Sequence, residues 1–114
     1  MSAFKYFNIT TTDVEPLAAI ETPDGNNAAQ IISSSPKCIT ICNFDASGDS
    51  CTIDLFLVPS SGTDVYLLHD VVIPGGVTLV LNEDELQYDT TIYALKFKLS
   101  SVSASQKVDI KITY

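Results

Sequence analysis

Tyr93-Ala94-Leu95-Lys96-Phe97-Lys98-Leu99, followed by Lys107-Val108-Asp109-Ile110-Lys111-Ile112-Thr113-Tyr114, decides the fold class. In the first run the odd positions are apolar and the even ones small or charged. In the second, Val108, Ile110, Ile112 and Tyr114 fall on one side. Successive side chains swap faces only in an extended chain, so a period of two predicts strands with one buried face. Ser100 to Gln106 reads as the loop of a hairpin between them.

Working outward, Lys37 to Phe44 and Cys51 to Val58 read as a second hairpin across Asp45-Ala46-Ser47-Gly48-Asp49-Ser50. Ile39 and Ile41 on one strand, and Cys51, Ile53, Leu55 and Leu57 on the other, are expected inside, with Thr52 and Asp54 outside. Val65 to Ile73 and Val77 to Leu81 are further strands around the turn Pro74-Gly75-Gly76. Asn82 to Leu86 reads as one helical turn or a loop. Ala29 to Ser33 is a candidate seventh strand. Eleven Ile, nine Val and eleven Thr suit pleated surfaces better than helices. Strands recurring with turn signals between them predict an all-β chain: an antiparallel β-sandwich, jelly-roll or immunoglobulin-like, of about six to eight strands.

Residues 1–36 differ in character. Phe4, Tyr6, Phe7 and Ile9 form an aromatic-rich start, and Glu15-Pro16, Thr22-Pro23-Asp24-Gly25 and Ser33-Ser34-Ser35-Pro36 then punctuate the chain. The expected organisation is an extended N-terminal arm and lead-in over 1–36 and a sandwich core over 37–114. An apolar cluster at the head of such an arm must be covered, either by its own domain as an edge strand or by a neighbour. Phe4, Tyr6, Phe7 and Ile9 are therefore the expected interface residues, on an intersubunit or capsid contact.

With 114 residues the chain has the length of one domain, and 46 % apolar with 18 % charged residues is a globular composition. Its apolar runs are too short to span a bilayer, and Lys5 and Asn8 to Thr12 interrupt any signal-peptide core. Six lysines and no arginine face fourteen acidic residues, a net charge of −8. Such a chain repels polyanions, so neither direct nucleic-acid binding nor an anionic membrane is an expected partner.

Cys38, Cys42 and Cys51 are an odd set without a CxxC and with a single histidine, His69, so small buried or half-buried thiols are favoured over a metal site. Cys38 and Cys42 on one strand would lie about 13 Å apart, too far for a disulfide. His69 falls inside a predicted strand without an announced nucleophile, and Glu83, Asp84 and Glu85 read as solvated acids. Asp45, Ser47 and Asp49 around Gly48 match a calcium loop only in part; a weak divalent site there stays open beside an ordinary turn. No catalytic residue, cofactor or metal is expected.

Ile39-Thr40-Ile41-Cys42-Asn43, then Thr52-Ile53-Asp54-Leu55-Phe56-Leu57-Val58-Pro59, then Tyr66-Leu67-Leu68-His69-Asp70-Val71-Val72-Ile73-Pro74-Gly75-Gly76-Val77-Thr78-Leu79 resembles small all-β virion structural proteins of tailed bacteriophages. The likeness runs from about Lys37 to Leu99 and carries no functional residue. It implies a non-enzymatic capsid decoration (cement) protein on the head surface, made in the host bacterial cytoplasm and located in the virion. Its implied partners are the major capsid protein or other virion proteins, with copies of itself in a homo-oligomer. A neck or tail component is the nearest alternative. A carbohydrate-binding or adhesin-like module, using Tyr66, Tyr88 and the N-terminal aromatics, is the alternative from another class, and a small hydrolase built around His69 is a distant third.

Overall fold

The computed structural model describes residues 4–20, 36–45, 48–100 and 106–114. Among them run eight strands: β1 (Phe4–Ile9), β2 (Glu15–Ala18), β3 (Cys38–Asp45), β4 (Cys51–Pro59), β5 (Val65–Ile73), β6 (Thr78–Asn82), β7 (Tyr93–Leu99) and β8 (Gln106–Thr113). One helical turn, α1 (Glu83–Leu86), joins β6 to β7. β3 alternates, with Ile39, Ile41 and Asn43 pointing in and Phe44 pointing out, whereas the central β4 is buried without a break from Ile53 to Leu57.

All pairings are antiparallel: β1 with β8, β2 with β7, β3 with β6 and β4 with β5, as if one long hairpin had folded over on itself. Two further pairings, β3 with β8 and β4 with β7, complete sheet A in the order β1-β8-β3-β6 and sheet B in the order β2-β7-β4-β5. This is the jelly-roll connectivity, the first of the two expected sandwich topologies.

Neither expected hairpin forms. β3 and β4 lie in different sheets, and so do β7 and β8. A hairpin would keep both apolar faces on one side of one sheet. Crossing between sheets turns them toward each other and closes a single core. Ile39, Ile41, Ile110 and Ile112 from sheet A meet Ile53, Leu55, Leu95, Phe97 and Leu99 from sheet B in that core, all nearly inaccessible to water.

Of the two covers open to the N-terminal arm, the described part takes the first, its own domain. β1 and β2 each add an edge strand to a sheet of the same chain, and Ile9 and Leu17 are buried in the core. The physical reason is the alternation Lys5-Phe7-Ile9, which faces Ile112, Ile110 and Val108 of β8 in register. The candidate strand Ala29 to Ser33 lies outside the described residues.

Two devices shape the sandwich ends. Asn82 begins the helical turn, its N–H donating to the Glu85 carboxylate at 3.0 Å, and Leu86 plugs the core. At the opposite end of β3 the buried Asn43 ties three segments together. Its side-chain amide donates to the carbonyls of Asp49 (3.0 Å) and Ile73 (2.9 Å), while its own carbonyl accepts from Gly76. Gly75 packs so closely there that a Cβ would lie 2.5 Å from the Gly48 backbone, which excludes any other residue.

Candidate functional site

Inward alternation on sheet A leaves an outer face made of the other half of each strand. β1 contributes Phe4, Tyr6 and Asn8; β8 contributes Lys107, Asp109, Lys111 and Thr113; β3 contributes Cys38, Thr40, Cys42 and Phe44; β6 contributes Val80. Tyr6 is 71 % exposed, Phe44 54 % and Val80 50 %. The pairings across this face have no register shift, so the side chains stand in straight cross-strand rows.

The face has its own electrostatics. The Lys111 ammonium lies 4.9 Å from the Phe4 ring centre and that of Lys107 5.2 Å from Phe44, so two lysine stems lie over aromatic carbon. Asn8 donates to the Asp109 carboxylate at 2.8 Å, and Lys107 reaches its other oxygen at 3.5 Å. A shallow, open depression runs between Tyr6, Asn8, Thr40, Cys42 and Lys111. On a chain of net charge −8, this face sets two of the six lysines among four exposed apolar side chains.

Of the expected interface residues, the fold brings Phe4 and Tyr6 onto this face. It places Phe7 half-buried against the core and Ile9 fully inside, so Ile9 is corrected from interface to core residue by its register opposite Val108. Sequence reading missed Phe44, Val80, Lys107 and Lys111. The alternation of β3 and β8 predicts that they point outward, but only the β1-β8-β3-β6 order puts them beside Tyr6.

All three cysteines are free thiols. Cys38 and Cys42 are half-buried on the outer face of sheet A, while Cys51 is in the core, where burial, with the Asp45 charge adding to it, pushes its thiol above the usual range. The Asp45 to Asp49 loop is described only at its ends. There the Asp45 carbonyl accepts from Gly48 and the Asp49 carbonyl from Asn43.

His69 lies on the outer side of sheet B at the β5 edge. Its Nδ1 is 3.1 Å from Asp54 Oδ1 and its Nε2 is 3.3 Å from Asp70 Oδ2. The ring stands edge-on to Tyr66 at 4.9 Å, and Tyr66 stacks on Phe56 at 5.2 Å. Asp54, expected to face out, does leave the core side of β4 but is 9 % exposed, because β5 folds over it. The histidine thus meets two carboxylates and an aromatic ring.

No protein-family model matches the chain, and neither does any curated protein.

Proposed function

We propose that this chain is a non-enzymatic structural protein of a tailed-bacteriophage virion, a decoration protein that seats on the capsid surface through the outer face of sheet A. The observation that carries the reading is that face: regular in register, and bearing exposed Phe4, Tyr6, Phe44 and Val80 beside Lys107 and Lys111. Four large apolar side chains exposed on one sheet face are more than scattered single exposures require, and a partner surface would cover them. Exposed aromatic side chains such as Phe4, Tyr6 and Phe44 are of the kind that anchor protein interfaces. A jelly roll adds a rigid platform of a kind found in capsid proteins and lectins, which supports the reading by analogy only. The resemblance of the β3 to β7 region to small virion proteins points the same way.

The test has two arms. Mass spectrometry of phage particles produced by cells carrying the gene should find the chain at many copies per particle. Tyr6→Ser combined with Phe44→Ser should then weaken binding to undecorated heads at least tenfold while leaving the melting temperature of the isolated protein within a few degrees. Absence from particles overturns the reading. Unchanged head binding by the folded double variant overturns the choice of face.

A further inference from the structure

We propose that His69 and Asp70 form a binding site for a divalent first-row transition ion of the zinc class, with Asp54 as the carboxylate that orients the imidazole. Neighbouring residues of a regular strand point to opposite faces and cannot share a ligand. β5 breaks that rule at this position. Against Ile53 and Leu55 of β4 it sets Val71 and Leu68, so β5 carries an extra residue in this interval. Asp70 takes the left-handed conformation with φ 51°, and its N–H turns onto Asp54 Oδ1 at 2.7 Å. The slip brings the side chains of His69 and Asp70 together.

The geometry then suits one ion. With metal–nitrogen and metal–oxygen bonds of about 2.0 to 2.2 Å, donors 3.3 Å apart subtend roughly 105° at the metal, close to the tetrahedral angle. Asp54 faces Nδ1 at 3.1 Å, which selects the tautomer with the proton on Nδ1 and leaves the Nε2 lone pair directed at the Asp70 carboxylate. A positive charge is called for between Nε2 and that carboxylate, and either a proton or a metal ion supplies it; a zinc titration tells the two apart. An imidazole nitrogen beside a carboxylate oxygen favours zinc-class ions over magnesium or calcium, which take all-oxygen shells.

The surroundings fit such a site. His69 and Asp70 side chains are 62 % and 63 % exposed, so an ion and its waters can enter. Tyr66 braces the ring from the side. On β7, Lys98 stands opposite Asp54 and Lys96 opposite Phe56 in register, on the side of β4 away from β5. Asp54, His69 and Asp70 offer ligand atoms within 4.8 Å of one another, the one such group among the described residues. Two protein ligands leave the remaining positions to water, so affinity is modest.

The chain has one histidine, so a single imidazole spectrum reports on the site. Zinc titrated into the full chain, with a non-thiol reductant present, should shift the His69 Nε2 resonance along a saturable curve, while magnesium at equal concentration should not. Asp70→Asn should weaken zinc binding at least tenfold, and Asp54→Asn by about 10- to 100-fold, the usual cost of losing an orienting partner. Zinc that binds the thiols and leaves the imidazole unmoved overturns the proposal. So does an imidazole that responds to pH but not to zinc, or an Asp70→Asn protein that binds as tightly as the parent. Should Asp54→Asn fail to fold, Asp70→Asn decides alone.

Discussion

On sheet A the pairings β1–β8, β8–β3 and β3–β6 run without a slip, whereas on sheet B both outer pairings, β2–β7 and β4–β5, shift register. The regular sheet repeats its side chains in straight rows and so offers area: aromatic, aliphatic and lysine groups spread over four strands. The irregular sheet interrupts its rows and so offers a point, where adjacent residues converge on one carboxylate. Both sheets close on the same core, so the contrast resides in the outer faces and in the edge strands. Register regularity decides whether a strand surface is suited to a partner's surface or to a small ligand.

The largest test asks whether the two sheets are one cooperative unit beneath these different faces. Phe97→Ala, in the middle of sheet B and fully buried, should cost about 3 to 5 kcal/mol in denaturant unfolding. Amide exchange should accelerate in sheet A as well as sheet B; acceleration confined to β7 and its neighbours would separate the sheets. Asn43→Ala should cost about 2 to 3 kcal/mol, since it strands the Ile73 and Asp49 carbonyls that join β3 to the β5 end and the β4 entry. A cost below about 0.5 kcal/mol would mean that water replaces the amide.

A smaller effect of opposite sign is expected at the bulge. Asp70→Gly should stabilise the protein by about 1 kcal/mol, because glycine adopts φ 51° without the penalty an aspartate bears there. The variant should gain stability and lose zinc. Loss of stability instead would make the Asp70 carboxylate a structural part of the edge.

The smallest effect concerns Asp89, whose carboxylate accepts from the Thr91 hydroxyl (2.5 Å) and N–H (2.9 Å) in the turn before β7. The Thr91 hydroxyl, then its N–H, holds the Asp89 carboxyl below its ordinary value of 3.8. Its contribution is therefore complete above that value and lost as pH falls through the lower folded-state value. The melting-temperature gap between wild type and Asp89→Ala should be constant from neutral pH to about pH 5 and should close in stronger acid. A gap that widens in acid would contradict this.

Much of the fold was legible because alternation is local. The strands read at Val65 to Ile73 and Tyr93 to Leu99 coincide with β5 and β7, and Ile39, Ile41, Ile53 and Leu55 face inward as the period of two requires. Pairing was not legible. Short connections suggested hairpins, whereas Asn8 finds Asp109 at 101 residues' separation, and no local pattern announces a partner that distant. The aromatic start read as an arm because Glu15-Pro16 and the polar clusters mask how well Phe7 and Ile9 match β8. The His69 site was half visible. In Val65-Tyr66-Leu67-Leu68-His69-Asp70-Val71-Val72-Ile73 the apolar doublets Leu67-Leu68 and Val71-Val72 break the alternation on either side of His69-Asp70. Two phase breaks in one strand signal a bulge, but Asp54 can be assigned to it only once β4 and β5 are set side by side.

The folded-over hairpin of the jelly roll also orders events in time. Leu57 meets Val65 across a short loop, Cys42 meets Thr78 only after that, Glu15 must reach Phe97, and Phe4 must reach Thr113. Loop-closure entropy rises at each step unless the inner pairs have already formed and shortened the effective loop. The expected order is zipping from β4–β5 outward, slowly for the chain's size because most sheet contacts are non-local. β1 docks last and, by the same logic run backward, frays first. The edge that carries Phe4 and Tyr6 is thus the part of sheet A expected to open first in the isolated protein, and a partner bound there would hold it closed.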